Sequence, residues 1–496
     1  MRARSATSEG FVANHRRRRL QLVWRRRAGA PRPAEDLYPL LAHSPYRFVF
    51  ESARDGDQMG RYSLIGSDPD VLLRVRAGRA EIARAPRLTR FTALRARPLA
   101  ALRELIRAQQ SIVLPPELPM LTAGLFGYLG YEMVREMERL PAPKRDLLGL
   151  PDALFMRPTR LCVCDAKTGA IWLAVLAAPK KSAAEDWRAA QSQLDEMDAQ
   201  SRRPVPALAR TRARFHPPRS NLTRAAYMRM VQQGRTHITA GDVFQLVLSQ
   251  RFRTRFALPG RNLYHALKRV NPSPYMFFLE FPEFSVIGSS PETLVAVEQG
   301  QMRLNVIAGT YPRGRTAAED KKLAARLMRD KKECAEHLML LDLGRNDVGR
   351  VCEIGSVKPH KPFAIQTTSH LLHLATRITG QLKPECEPLD ALIAGFPPGT
   401  VSGAPKIRAM EIIHALEPMK RGLYAGGIGY FSASGDMDSC IALRTAILKD
   451  RIMHVQAGGG IVYDSDPAQE HQESVNKAQA LFRAAELALE EARREA

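Results

Sequence analysis

Between Tyr275 and Ile307 the chain strings together four short strand-like runs, Tyr275–Phe281, Phe284–Gly288, Thr293–Val297 and Met302–Ile307, with only turn residues between them. Parallel neighbours need crossovers of a dozen residues or more, so runs this closely spaced pair antiparallel. Further runs at Val243–Leu248, Gly426–Phe431, Asp438–Ile447 and Ile452–Ala457 are separated by long helix-periodic stretches. Groups of locally paired strands between long helices predict an α+β chain with largely antiparallel sheets, not a doubly wound parallel one.

An earlier unit is expected over residues 36–200, with strands at Tyr46–Glu51, Val71–Val75 and Leu161–Ala174 and helices at Ala101–Gln109 and Ala183–Gln200. Residues 201–220, SRRPVPALARTRARFHPPRS, are basic and proline-rich and read as a linker. The second unit, 221–485, opens on Asn221-Leu222-Thr223 capping a helix through Ile238, and a charged helical tail, 486–496, closes the chain. Residues 1–35 carry Arg16–Arg19 and Arg25–Arg27 against Glu9, Glu35 being the only other acid, and read as a solvated, disordered basic arm. The net charge of +23 admits nucleic acid as a partner, but no second feature supports it. No apolar run reaches membrane-spanning length and the six cysteines show no paired spacing, so a soluble, cytoplasmic protein without zinc or disulfides is expected.

Phe396–Ile413, FPPGTVSGAPKIRAMEII, runs from a Gly/Pro loop into a helix-periodic segment. Gly399 and Gly403 permit close backbone approach and Thr400 and Ser402 add hydroxyls, a composition suited to holding an anion and equally to an ordinary turn. Two acidic pairs have helical i, i+3 spacing: Glu333 with Glu336, and Glu470 with Glu473, Lys477 following on the same face. Such pairs are either solvated charge or oxygen ligands for a hard cation such as Mg2+. Arg444 interrupts the apolar run CIALRTAI and requires a carboxylate partner from protein or ligand.

The motifs FESARDGDQMGRYSLIG, GDVFQLVLSQR, NPSPYMFFLE, GSSPETLV, VIAGTYPRGR, EHLMLLDLGRNDVGRV, FPPGTVSGAPK, YAGGIGYF, GDMDSCIALRTA and QEHQESVNKA occur in order from Phe48 to Ala485. Together they resemble the chorismate-utilising enzymes, above all the large-subunit branch of the anthranilate synthases. The resemblance implies two intimately packed units with central, largely antiparallel sheets in a sandwich and helices outside. It implies conversion of chorismate and ammonia to anthranilate and pyruvate, the committed step toward tryptophan.

Residue by residue, Glu336 and Glu473 match the family's Mg2+ ligands, with Glu470 and Lys477 nearby. Glu333 matches the general acid for the departing C4 hydroxyl, and His373 a histidine handling protons near C2. Tyr424, Arg444 and the backbone at Gly460 match the clamp on the enolpyruvyl carboxylate. Glu292, Gly309, Thr310 and Thr400 line the same site, and Lys406 frames its loop. Water-adding relatives carry a lysine where this chain has Gln245, so Gln245 favours ammonia as nucleophile. Some aminodeoxychorismate synthases carry a lysine at the position of Ala308, which makes that alternative the lesser one. Glu51, Ser52, Asn271, Pro272, Tyr275, Met276, Ile428, Tyr430 and Cys440 match positions of tryptophan feedback binding. Val306 and Pro398 depart from the family's usual proline and alanine. No glutaminase domain is visible in the sequence, so the resemblance implies a separate amidotransferase partner.

Overall fold

The computed structural model describes residues 7–28, 32–51, 61–367 and 371–494, and of Thr310 and Leu371 the backbone only. Ser52 lies outside the described residues. Among the described residues, twenty-one strands join one continuous hydrogen-bonded network. Its longest ladders are antiparallel, Tyr62–Arg76 against Ala153–Asp165, Gln301–Pro312 against Leu371–Gln381, and Gln245–Arg255 against Ile452–Ile461.

Alternation sets the layers. Phe48, Phe126, Tyr128, Trp172, Phe277, Ile428 and Cys440, one face of many strands, form a core drawn from strands and the loops between them, with no buried α-helix residue among the described residues. A core without helices means that sheet faces sheet across it. Two other cores pack helices on the outer faces: Ala34–Leu41, Ala183–Ser201, Gly260–Val270 and Pro467–Arg494 over one, Pro98–Gln109, Lys331–Val351 and Pro388–Gly395 over the other. The antiparallel α+β expectation agrees with this architecture.

The two expected units are hydrogen-bonded into each other. Strand Arg47–Glu51 pairs with Tyr275–Glu280, and Gly124–Leu129 pairs with Gly427–Ser432. Any movement at this seam is therefore shared by both halves of the chain.

The amino-terminal segment corrects the expectation of a disordered arm. Ser8–Arg16 is helical and Gln21–Arg27 pairs in register with Ile171–Ala177. Val23 and Trp24 are buried, each burial contributing roughly 2–3 kcal/mol. Two of the arginines that suggested solvation are held by distant acids, Arg25 by Asp195 and Arg27 by Asp198, both on helix Ala183–Ser201, while Arg16–Arg19 are exposed as expected. The expected tail is likewise no separate segment. It completes the 28-residue helix Pro467–Arg494, with Ala488, Leu489 and Ala492 buried. One expected strand, Asp438–Ile447, is two, Met437–Ile441 and Thr445–Lys449, because the chain breaks at Arg444, whose φ is 49°.

Candidate active site

Helix Lys331–Val351 begins at the site. Asp330 caps it, accepting from the amides of Lys332 and Glu333, and Tyr311 donates to the same carboxylate at 2.6 Å. Glu333 thus sits in the first turn, at the positive end of the helix dipole. Gly309 comes so close, with φ +74°, that a Cβ there would stand 3.3 Å from Glu333 Cβ and Oε2. A side chain at 309 would press on the carboxyl, which is why the position is glycine.

One turn on, Glu336 accepts a 2.9 Å hydrogen bond from Gln245 Nε2. Burial, then the neighbouring charge of Glu333, holds the Glu336 carboxyl above its usual range, with Glu473 adding to the effect. From the other side helix Pro467–Arg494 presents the second pair. A Cβ on Gly459 would meet Glu470 Oε2 at 2.9 Å and Glu473 Oε1 at 3.5 Å. Burial pushes Glu470 up to about 7, and its Oε2 is buried with no hydrogen-bond partner. Lys477 pairs with Glu473 at 2.6 Å and donates to Gly458 O at 3.1 Å. Both carboxylate pairs and Gln245 therefore converge, and the reading as plain solvated charge fails for Glu336 and Glu470.

Among the described residues no three His, Cys, Asp or Glu side chains are grouped closely enough to hold a metal ion between them. Mg2+ does not require three, since it binds through one or two carboxylates, substrate oxygens and retained water. The orphaned, buried Glu470 Oε2 beside Glu473 is the kind of oxygen a cation satisfies. The donor set fits that group.

The opposite wall is built by strands. His373, in register with Thr310, is held below its usual value by burial and then by the charge of Arg444, with a Gly309 backbone hydrogen bond opposing. Arg444 is turned inward by the strand break and donates to Lys477 O at 3.2 Å. A Cβ on Gly460 would lie 2.8 Å from Gln245 Nε2. Thr400 Oγ1 donates to Glu292 Oε1 at 2.9 Å, and burial lifts Glu292 to about 7 despite that bond. The side chain of Thr310 lies outside the description.

Several donors of the Phe396–Ile413 stretch are spent within the fold. The amides of Val401 and Ser402 bond Pro398 O and Gly399 O, and the Ser402 hydroxyl bonds Pro398 O. Only Thr400 reaches toward the site, through Glu292. Lys406 is bound to the buried Asp347, so it frames the loop.

A network that the sequence reading missed anchors this frame. Arg421, 1% exposed, donates to Val401 O, to Val247 O and to Glu417, and stacks on Tyr131 and Tyr424. It ties the loop carrying Thr400 to the strand carrying Gln245 and sets the Tyr424 ring. Its only signal in the sequence is a charge just before the turn at Gly422.

A second hollow, of about 490 Å³, opens at the seam between the units. Its walls include Glu51, Tyr275, Met276, Ile428, Tyr430 and Cys440, six of the nine residues expected to bind an inhibitor. Asn271 and Pro272 are not in its walls; Asn271 Nδ2 is spent on Ser289 Oγ, closing the end of helix Gly260–Val270. Arg61, Glu298, Arg303 and Asp438 line the hollow and were not foreseen. Tyr275 donates to Asp438 at 3.0 Å, and burial raises Asp438 to about 6.

Comparison with known proteins agrees with these observations. Residues 45–483 match the family described as chorismate binding enzyme. The anthranilate synthase component 1 of Cereibacter sphaeroides is 48% identical over 447 residues, covering 88% of this chain and 89% of the relative. That of Pseudomonas aeruginosa is 44% identical over 91% of this chain and 92% of its own length. The crystal structure of anthranilate synthase component I from Streptococcus pneumoniae superposes with a TM-score of 0.76 at 36% identity, covering 86% of this chain and 93% of that one. The chain belongs to the chorismate binding enzymes.

Proposed function

We propose that the chain forms anthranilate and pyruvate from chorismate and ammonia, as the large subunit of an anthranilate synthase with a component II glutaminase supplying the ammonia. The observation that carries this reading is Gln245 on Glu336, because a neutral amide stands where a water-activating base would be needed. Ala308 supports the ortho product over the para isomer. In the proposed sequence the C2–N bond forms as the allylic C4–O bond breaks, Glu333 giving the proton that releases water. Loss of the C2 proton, to His373 in this reading, then expels the enolpyruvyl group, which leaves as pyruvate once protonated. Arg444 and Tyr424 hold the enolpyruvyl carboxylate, and Gln245 faces the incoming ammonia.

Mg2+, held by Glu336 and Glu473 with Glu470 beside them, would supply positive charge at the ring carboxylate. Glu336 and Glu470, held above their usual range by burial, would be drawn into the ionised form by it.

The hollow at the seam is the proposed tryptophan site. Its wall residue Cys440 pairs with Thr293, and the next amide, Ile441 N–H, donates to Glu292 O. A ligand there therefore has a two-residue path to the Glu292–Thr400 contact. Incubation with chorismate, Mg2+ and ammonium, followed by chromatography of the aromatic product, tests the proposal. Anthranilate with equimolar pyruvate is expected; the para isomer, isochorismate or no product from folded protein overturns it.

A further inference from the structure

The first turn of helix Lys331–Val351 is met by one strand at two points. Strand Gln301–Pro312 brings Gly309 against Glu333 and, two residues on, Tyr311 against Asp330, the residue that caps the helix. The first of these contacts falls in a break in the pairing, where the register with Leu371–Gln381 shifts between Ala308 and Thr310. An irregularity of this kind loosens the ladder and re-aims the chain locally. The strand therefore needs a second hold beside Gly309, and the Tyr311–Asp330 contact supplies one.

Asp330 is used twice. Its Oδ1 accepts from the amides of Lys332 at 3.0 Å and Glu333 at 3.2 Å, while its Oδ2 accepts from the Tyr311 hydroxyl at 2.6 Å. These bonds, that of Tyr311 first, hold the Asp330 carboxyl below its usual range, so the cap carries charge. Arg326, from the preceding helix Ala317–Leu327, lies over the Tyr311 ring at 5.7 Å from its centroid and fixes it in place. Glu333 is only the third residue of its helix, so its amide has no acceptor within the helix and its position depends on the cap. A proton donor works only within hydrogen-bond reach of the atom it protonates, and a first turn that frays would carry the Glu333 carboxyl out of that reach.

We infer that Tyr311 is a positioning residue for Glu333, holding through Asp330 the first helical turn where that acid delivers its proton. This rests on the proposed reaction. Tyr311 acts on the backbone at Glu333, whereas Glu336 lies one turn on and Glu473 on another helix, so the metal-binding carboxylates are not set by it.

The test separates turnover from binding. Tyr311→Phe keeps the ring beneath Arg326 and removes only the hydroxyl; it is expected to lower kcat for ammonium-driven anthranilate formation about tenfold, with KM for chorismate and the half-saturating Mg2+ concentration unchanged within about twofold. Asp330→Asn still caps the helix but offers the hydroxyl no charge, and kcat should fall part of the way. In Glu333→Gln, which leaves no acid to position, adding Tyr311→Phe should lower the residual rate by less than about twofold. An undiminished kcat in Tyr311→Phe, a rise in KM that matches the fall in kcat, or the full further loss in the Glu333→Gln background would overturn the inference while leaving the reaction standing. No anthranilate from the unaltered chain would overturn the reaction, and this role with it.

Discussion

The carboxylate site and the hollow at the seam are made of different material. The first is set by helices that deliver charge: Glu333 and Glu336 from one, Glu470 and Glu473 from another, with Glu336 and Glu470 pushed up by burial first and then by nearby carboxylates. The second is walled mainly by strands of both units, with aromatic and sulfur side chains and a few paired polar groups. The site is electrostatically loaded, whereas the hollow offers shape. The two are linked through shared strands, as where the Cys440 strand runs past Glu292 and where one strand carries both Arg303 and Gly309.

The separation can be broken from the chemical side first. Glu336→Gln removes a proposed metal-binding oxygen and is expected to lower Mg2+-dependent turnover by about 10²- to 10³-fold. Because the wild-type carboxyl is held up by burial, the variant should melt no earlier than the parent, and tryptophan affinity measured by calorimetry should not move. Retained turnover with unchanged Mg2+ dependence would remove Glu336 from that role.

Glu292 probes the junction. Its folded value of about 7 lies above the ordinary 4.5, so between those values the folded chain binds more protons than the unfolded chain. Stability contributed by this group is full below about pH 4.5 and declines as pH rises to about 7, by up to about 3 kcal/mol for a residue this buried. Glu292→Gln should flatten that part of the melting-temperature profile between pH 5 and 8. A variant profile parallel to the parent would place the carboxyl in a more ordinary environment.

Glu51→Gln sharpens the other side. Glu51 lines the hollow and is held there by Tyr264 and Lys268. The expected result is about tenfold weaker tryptophan inhibition, on the order of 1.4 kcal/mol, with uninhibited turnover unchanged. Equal loss of turnover would show that the two regions are not separate.

Much of the strand pattern was readable because strands buried on both faces read as short apolar runs between turns, as at Tyr275–Glu280 and Thr293–Glu298. Spacing likewise put Glu333 with Glu336 and Glu470 with Glu473 on shared helix faces. What spacing cannot carry is which distant element answers a charge. Arg25 and Arg27 looked solvated because their partners lie some 170 residues on, while the buried Leu22–Trp24 run just before them was the overlooked signal. The Phe396 loop looked like an anion cradle because Val401, Ser402 and Thr400 find their acceptors only through folding. Arg303 and Asp438 escaped notice for the same reason, each sitting in a strand where the ordinary reading is an outward-facing charge.

The most direct test of two coupled but distinct sites is the initial rate of anthranilate formation from chorismate, Mg2+ and ammonium as tryptophan is raised. The account predicts ammonium-driven turnover that falls to a low level with saturable tryptophan dependence, and Glu51→Gln moving that dependence to higher concentration without changing the starting rate. Turnover indifferent to tryptophan, or no anthranilate from correctly folded protein, would contradict it.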